Sequence, residues 1–147
     1  MPTRTARTAW NGPVETGEGQ VELSSSKLGT YDVSFPKRAS EEANGSTSPE
    51  ELLAAAHSAC YAMQLSAILG IQGATVEALH VQADVTLVPD PADHGFKLSG
   101  IKLTVRGEVS GIDAAGFVGA AEAAKATCPL SKALTGVEIT LDAALED

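Results

Sequence analysis

Cysteine is scarce in this chain. Its 147 residues include two, Cys60 and Cys128, which lie 68 positions apart. That spacing excludes a disulfide framework and any C-x-x-C metal or redox pair. Three scattered histidines, His57, His80 and His94, add no structural zinc pattern to them. Aromatic residues make up 4% of the chain, so the core must be packed with small and aliphatic side chains. Basic residues are few, 10 against 19 acidic ones, for a net charge of −9. A nucleic-acid footprint is basic, so no nucleic-acid partner is expected. No long uninterrupted hydrophobic run is present. The most apolar stretch, residues 52–71, is broken by His57, Ser58, Gln64 and Ser66, which reads as a buried helix and not a membrane span. The opening residues MPTRTARTAWNG carry charge without an apolar centre, so no secretory signal and a cytoplasmic location are expected.

What is present is a well-balanced globular composition, 44% hydrophobic, and a length that suits a single domain over residues 1–147. Val21 and Leu23 alternate with polar residues, as do Tyr31, Val33 and Phe35, which predicts an N-terminal antiparallel meander whose first strand lies within Thr3 to Trp10. Residues 36–47, PKRASEEANGST, read as a loop that concentrates Lys37, Arg38, Glu41 and Glu42. SPEE then announces a helix. Ser48 is placed as N-cap, Pro49 at N1 and Glu51 at N3, a capping box. The helix should run to about Leu69 and end at Gly70. It is apolar on most sides, so it reads as a central buried helix with surface to spare for a second subunit.

LHVQADVTL and the segment around Ile101, Leu103 and Val105 each alternate apolar with polar, predicting paired strands with one dry face. Gly100 shifts the phase between Leu98 and Ile101, which indicates a bulge. Asp113 caps a second helix over 114–126, with Ile112 and Phe117 as a hydrophobic staple. Cys128-Pro129 opens a short third helix, and VEITLDAAL supplies a last strand. The fold class is α+β, with antiparallel sheets covered by a long central helix and shorter ones.

The two thiols read differently. Cys60, mid-helix in AAAHSACYAM, is on its own a small core residue, beyond reach of the helix dipole. Cys128 stands at a helix N-cap, where backbone N–H groups favour a thiolate. Local physics therefore makes Cys128 the more reactive thiol. His57, three residues before Cys60, shares its helix face and is a conceivable base for it, although a lone helical histidine is more often a hydrogen-bonded structural residue.

SPEELLAAAHSACYAM resembles the central-helix signature of the OsmC/Ohr proteins, and AAKATCPLSKAL their second signature, with VEITLD following. The resemblance covers nearly the whole chain and favours the OsmC branch. It implies an intertwined α+β homodimer and a thiol peroxidase that reduces organic hydroperoxides, and hydrogen peroxide more weakly, without a metal or organic cofactor. It implies that Cys60 is the peroxidatic cysteine and Cys128 the resolving one, that Arg38 (with Lys37 as its neighbour and rival) holds the thiolate, that Glu50 orients the arginine, and that an external dithiol is the reductant. Glu50 and Cys60 are ten residues apart on one helix, roughly 15 Å of rise, so a site using both requires two chains. Two other readings stand beside this one: a non-catalytic dimer that binds a small apolar ligand and keeps its thiols structural, and a hydrolase built on Cys60 and His57.

Overall fold

The period-two stretches near the N-terminus do pair. A computed structural model describes residues 1–147 and divides them into two compact units, Met1–Leu52 and Leu53–Asp147. In the first, β1 (Arg7–Asn11), β2 (Glu18–Glu22) and β3 (Thr30–Val33) form an antiparallel meander in chain order. The first strand starts later than Thr3 and ends where Gly12, at φ +91°, turns the chain. The segment read as a loop opens instead with one helical turn, α1 (Phe35–Arg38). Ser34 caps it, its Oγ accepting the Lys37 N–H at 3.4 Å, and Pro36 occupies the first turn. A single turn is too short to carry a readable period. The rest of the segment is tied down, with the buried Ser46 donating its hydroxyl to the Asp32 carbonyl at 2.8 Å.

The long helix, α2 (Pro49–Ile71), starts as predicted, with Ser48 Oγ accepting the Glu51 N–H at 3.1 Å. The reciprocal half of the capping box is replaced: the Glu51 carboxylate accepts the Thr47 hydroxyl at 2.7 Å. Gly70 does not end the helix. Gly73 does, at φ +82°, with Ala74 N–H on the Leu69 carbonyl at 3.0 Å and Gly73 N–H on that of Gly70 at 3.1 Å. This 6→1 and 5→2 pair is a Schellman closure.

In the second unit β4 (Thr75–Asp90) and β5 (Gly95–Ser110) form a long antiparallel hairpin, with the predicted bulge at Ser99, beside Gly100, and a second at Glu77. The last strand, β6 (Ile139–Glu146), joins β5 in parallel, the one parallel pairing in two otherwise antiparallel sheets. The connection explains it: α3 (Ala114–Thr127) and α4 (Pro129–Ala133) carry the chain back along the sheet before β6 begins. Asp113 caps α3 by accepting the Gly116 N–H at 2.7 Å. Phe117 lies against Gly107, where an added Cβ would stand 2.6 Å from its ring. Leu103, Val105 and Val109 from β5 meet Tyr61, Leu65 and Leu69 from α2 and Phe117, Ala120, Ala121 and Ala124 from α3 in one core.

Within this unit α2 buries a single stripe, His57, Tyr61, Leu65 and Leu69, at four-residue spacing. Ala55, Ala56, Ala59, Met63 and Ala67 are exposed, so the helix is central but within one chain buries only this stripe, leaving the apolar surface to spare that the sequence indicated. By length and composition alone α2 could also cross a membrane. Its inner stripe is fixed by packing and by the Tyr61 hydroxyl, which donates to the Ala121 carbonyl at 2.8 Å.

Candidate active site

The four residues singled out from the sequence fall into two pairs, one in each unit. In the first unit, Arg38 closes α1 and Glu50 opens α2. The guanidinium grips the carboxylate: Nε lies 3.1 Å from both carboxylate oxygens and Nη2 2.7 Å from Oε1. A planar fork matched to a carboxylate is geometry that arginine alone supplies, and the ion pair goes to Arg38 and not to Lys37. The Glu50 side chain is 11% exposed and the Arg38 side chain 32%, so the pair leaves one edge of the cation accessible. Arg38 also lines a cleft of about 450 Å³ whose other walls are largely apolar, from Trp10, Val14, Val21, Val33, Phe35 and Leu52.

In the second unit the Sγ atoms of Cys60 and Cys128 are 3.2 Å apart, both as free thiols. The sequence separation of 68 gave no hint of this meeting; it is made by packing α2 against the α3–α4 corner. The two sulfurs have different surroundings. Cys60 is part-exposed and Cys128 fully buried. Burial pushes the Cys60 thiol up, the Leu130 N–H draws it down, and neighbouring Cys128 adds to the rise. Burial also pushes Cys128 up, but it is outweighed by the Ser131 N–H, by Cys60, by the Ser131 hydroxyl and by the Leu130 N–H, so its net shift is downward. Cys128 occupies the N-cap of α4 without a formed side-chain capping bond; the first-turn N–H groups act through their proximity to its charge. The acidic proton thus belongs to the buried sulfur, whereas access belongs to the other.

Ser131 and the Leu130 N–H were not among the residues chosen from the sequence. Ser131 was legible in principle, since it sits three residues beyond the N-cap cysteine, the position whose N–H and side chain turn back towards the cap.

His57 does not hydrogen-bond Cys60. Its Nε2 meets Ser131 Oγ at 2.7 Å, and its Nδ1 is buried without a partner. This arrangement gives no support to a Cys60–His57 hydrolytic dyad. Burial lowers the His57 pKa, so the folded chain holds it neutral. The sign of the linkage follows. Between that lowered value and the ordinary 6.5, the unfolded state binds more protons, so stability falls as pH drops below about 6.5. Urea unfolding between about pH 5 and about pH 7.5 should show this loss, and His57→Gln, which keeps a donor but cannot titrate, should flatten it. An unchanged slope in His57→Gln would place the acid sensitivity elsewhere.

No cluster of three or more His, Cys, Asp or Glu side chains is placed to hold a metal ion.

The OsmC-like protein family model matches residues 42–142. The chain is 42% identical to peroxiredoxin OsmC of Escherichia coli over 133 residues, covering 90% of each chain. It is 36% identical to the organic hydroperoxide resistance protein OhrA of Bacillus subtilis, over 86% of this chain and 88% of that one. Among solved structures, the organic hydroperoxide resistance protein OhrB of Bacillus subtilis superposes with a TM-score of 0.73 at 26% identity, covering 95% of this chain and 97% of that one.

Proposed function

This chain belongs to the OsmC-like family, and on that premise we propose that it is a thiol-dependent peroxidase that reduces organic hydroperoxides. The observation that carries the reading is the 3.2 Å approach of Cys60 and Cys128. A disulfide needs about 2.05 Å, so closing the bond asks for a small movement of side chains already in contact.

Cys60, the accessible sulfur, attacks a peroxide oxygen as thiolate. The O–O bond breaks, the leaving alkoxide takes a proton to become the alcohol, and Cys60 becomes a sulfenic acid. Cys128 attacks that sulfur, the S–S bond forms and water leaves. An external dithiol restores both thiols by two exchanges and departs as its own disulfide. The Arg38–Glu50 pair supplies a fixed positive edge to hold the Cys60 thiolate and the peroxide, and the apolar cleft beside Arg38 suits a hydrocarbon tail.

Glu50 and Cys60 are ten residues apart on α2, about 15 Å of helix. In this reading the working site is therefore shared by two copies of the chain, the Arg38–Glu50 pair of one meeting Cys60 of the other. The exposed row Ala55, Ala56, Ala59, Met63 and Ala67 on α2 supports such a homodimer, because small apolar side chains let another helix approach closely.

The apolar cleft alone would also suit a protein that only binds a ligand. Mixing fully reduced protein with cumene hydroperoxide separates the two. Peroxide should disappear in proportion to chain, with both thiols lost to a thiol reagent. Binding without peroxide loss would overturn the peroxidase reading.

A further inference from the structure

The scheme above leaves one buried polar pair unused. His57 on α2 and Ser131 on α4 are 74 positions apart, 0% and 5% exposed, and joined at 2.7 Å. The histidine's other nitrogen fixes the direction of this bond. Nδ1 is buried with no partner, and an orphaned N–H is costlier to bury than an orphaned lone pair. The proton therefore sits on Nε2, which donates to Ser131 Oγ. The serine hydroxyl proton is left free to point elsewhere. Ser131 is at N3 of α4 and Cys128 at its N-cap, the spacing at which an N3 side chain can reach back to the cap residue.

We infer that His57 and Ser131 are positioning residues for the resolving step, a buried relay in which His57 Nε2–H holds Ser131 so that its hydroxyl donates to Cys128 Sγ. Its purpose rests on the peroxidase reading; its geometry does not. The Ser131 hydroxyl is among the groups that lower the Cys128 thiol from its ordinary value against the effect of burial. A buried sulfur that cannot be reached by water needs such a donor to exist as a thiolate. When Cys128 attacks, its electron pair forms the S–S bond to Cys60. The S–O bond of the sulfenic acid breaks, and the departing hydroxide takes up the proton that Cys128 gave up on ionising. The relay stays in place throughout and changes only the strength of its last bond.

The ionisable groups nearest Cys128 are Cys60 and Tyr61 on α2, with His57 beyond them through Ser131. Glu122 on α3 acts on Tyr61 and is paired with Lys125 at 3.3 Å. Lys132 on α4 is exposed, and the inward face of β5 presents the aliphatic side chains of Leu103, Val105 and Val109. Tyr61 is itself pushed up, first by burial, and stays neutral while the thiol titrates.

The test uses the full chain carrying Cys60→Ser, in which Cys128 is the single thiol and its ionisation is followed by thiolate absorbance. Adding Ser131→Ala should raise the midpoint by about one unit. His57→Leu should raise it too, the two together by less than their sum, and His57→Gln, which restores a donor, should bring it back. An unmoved midpoint in Ser131→Ala overturns the relay, and so does a shift there with none in His57→Leu. Ser131→Ala removes one oxygen atom and carries the test if His57→Leu does not fold. These readings need no peroxide. Failure of wild-type protein to consume cumene hydroperoxide would overturn the peroxidase reading while leaving a shifted midpoint as support for the relay.

Discussion

Cys60→Ser should abolish peroxide consumption, while Cys128→Ser should allow a single turnover and no more. A serine hydroxyl ionises far outside the working range and is a poor nucleophile towards peroxide oxygen, so nothing replaces the Cys60 thiolate. Cys128 is no substitute: it is the more acidic sulfur but 0% exposed, and a peroxide cannot reach it without opening the core around Tyr61 and Phe117. In Cys128→Ser the first attack is untouched in kind. A sulfenic acid forms on Cys60, finds no sulfur at 3.2 Å, and persists or oxidises further. Peroxide loss per chain and the intact mass after a pulse read both outcomes. A Cys60→Ser protein that still consumes peroxide sinks the assignment of Cys60. A Cys128→Ser protein that cycles without added thiol sinks that of Cys128.

Arg38→Ala should reduce the rate of peroxide reduction by about two to three orders of magnitude, the usual cost of losing a preorganised charge at a reacting centre. Arg38→Lys should recover little, because an ammonium cannot be gripped through two parallel bonds by Glu50. The more telling experiment mixes two inactive proteins. If one site draws Arg38 from one chain and Cys60 from the other, a heterodimer of Arg38→Ala with Cys60→Ser has one site with both defects and one with neither. Random reassortment then restores about a quarter of the wild-type sites. If each chain houses its own complete site, every site in the mixture carries one defect and no activity returns. Recovery of activity supports the shared site, and its absence from a demonstrated heterodimer removes it.

Periodicity made the framework legible. The strands around Val21, Val33, Val81 and Leu103, the Ser48 and Asp113 caps and the bulge beside Gly100 all follow from local rules that the folded chain obeys. The errors have local causes too. Gly70 is compatible with a helix interior and Gly73 is better placed for the left-handed turn, a choice decided by where the chain must bend towards β4. Arg38 was named, but the turn that holds it was not, because α1 is too short for a pattern. The 3.2 Å meeting of the thiols and the His57–Ser131 bond were out of reach of spacing arguments, since both join residues about 70 positions apart through packing that no periodicity encodes. Local physics nevertheless read the acidity correctly: the N-cap position of Cys128 does lower its pKa, while Cys60 is raised.

The parallel docking of β6 has a consequence for how the chain is made. β5 pairs Ile101 with Ile139 and Leu103 with Leu141, 38 positions on. The β4–β5 hairpin is local and closes early, but its second edge has no partner until α3 and α4 have been synthesised and folded back. During that interval a long strand with Leu103 and Val105 on one face presents open backbone to any neighbouring nascent chain. The charges on the opposite face, Lys102, Arg106 and Glu108, flank that edge as gatekeepers. Once β6 arrives, Arg106 acquires its Asp142 partner at 3.2 Å. On this view the residues of the wet face guard solubility during synthesis, before Arg106 finds its ion-pair partner in the finished fold.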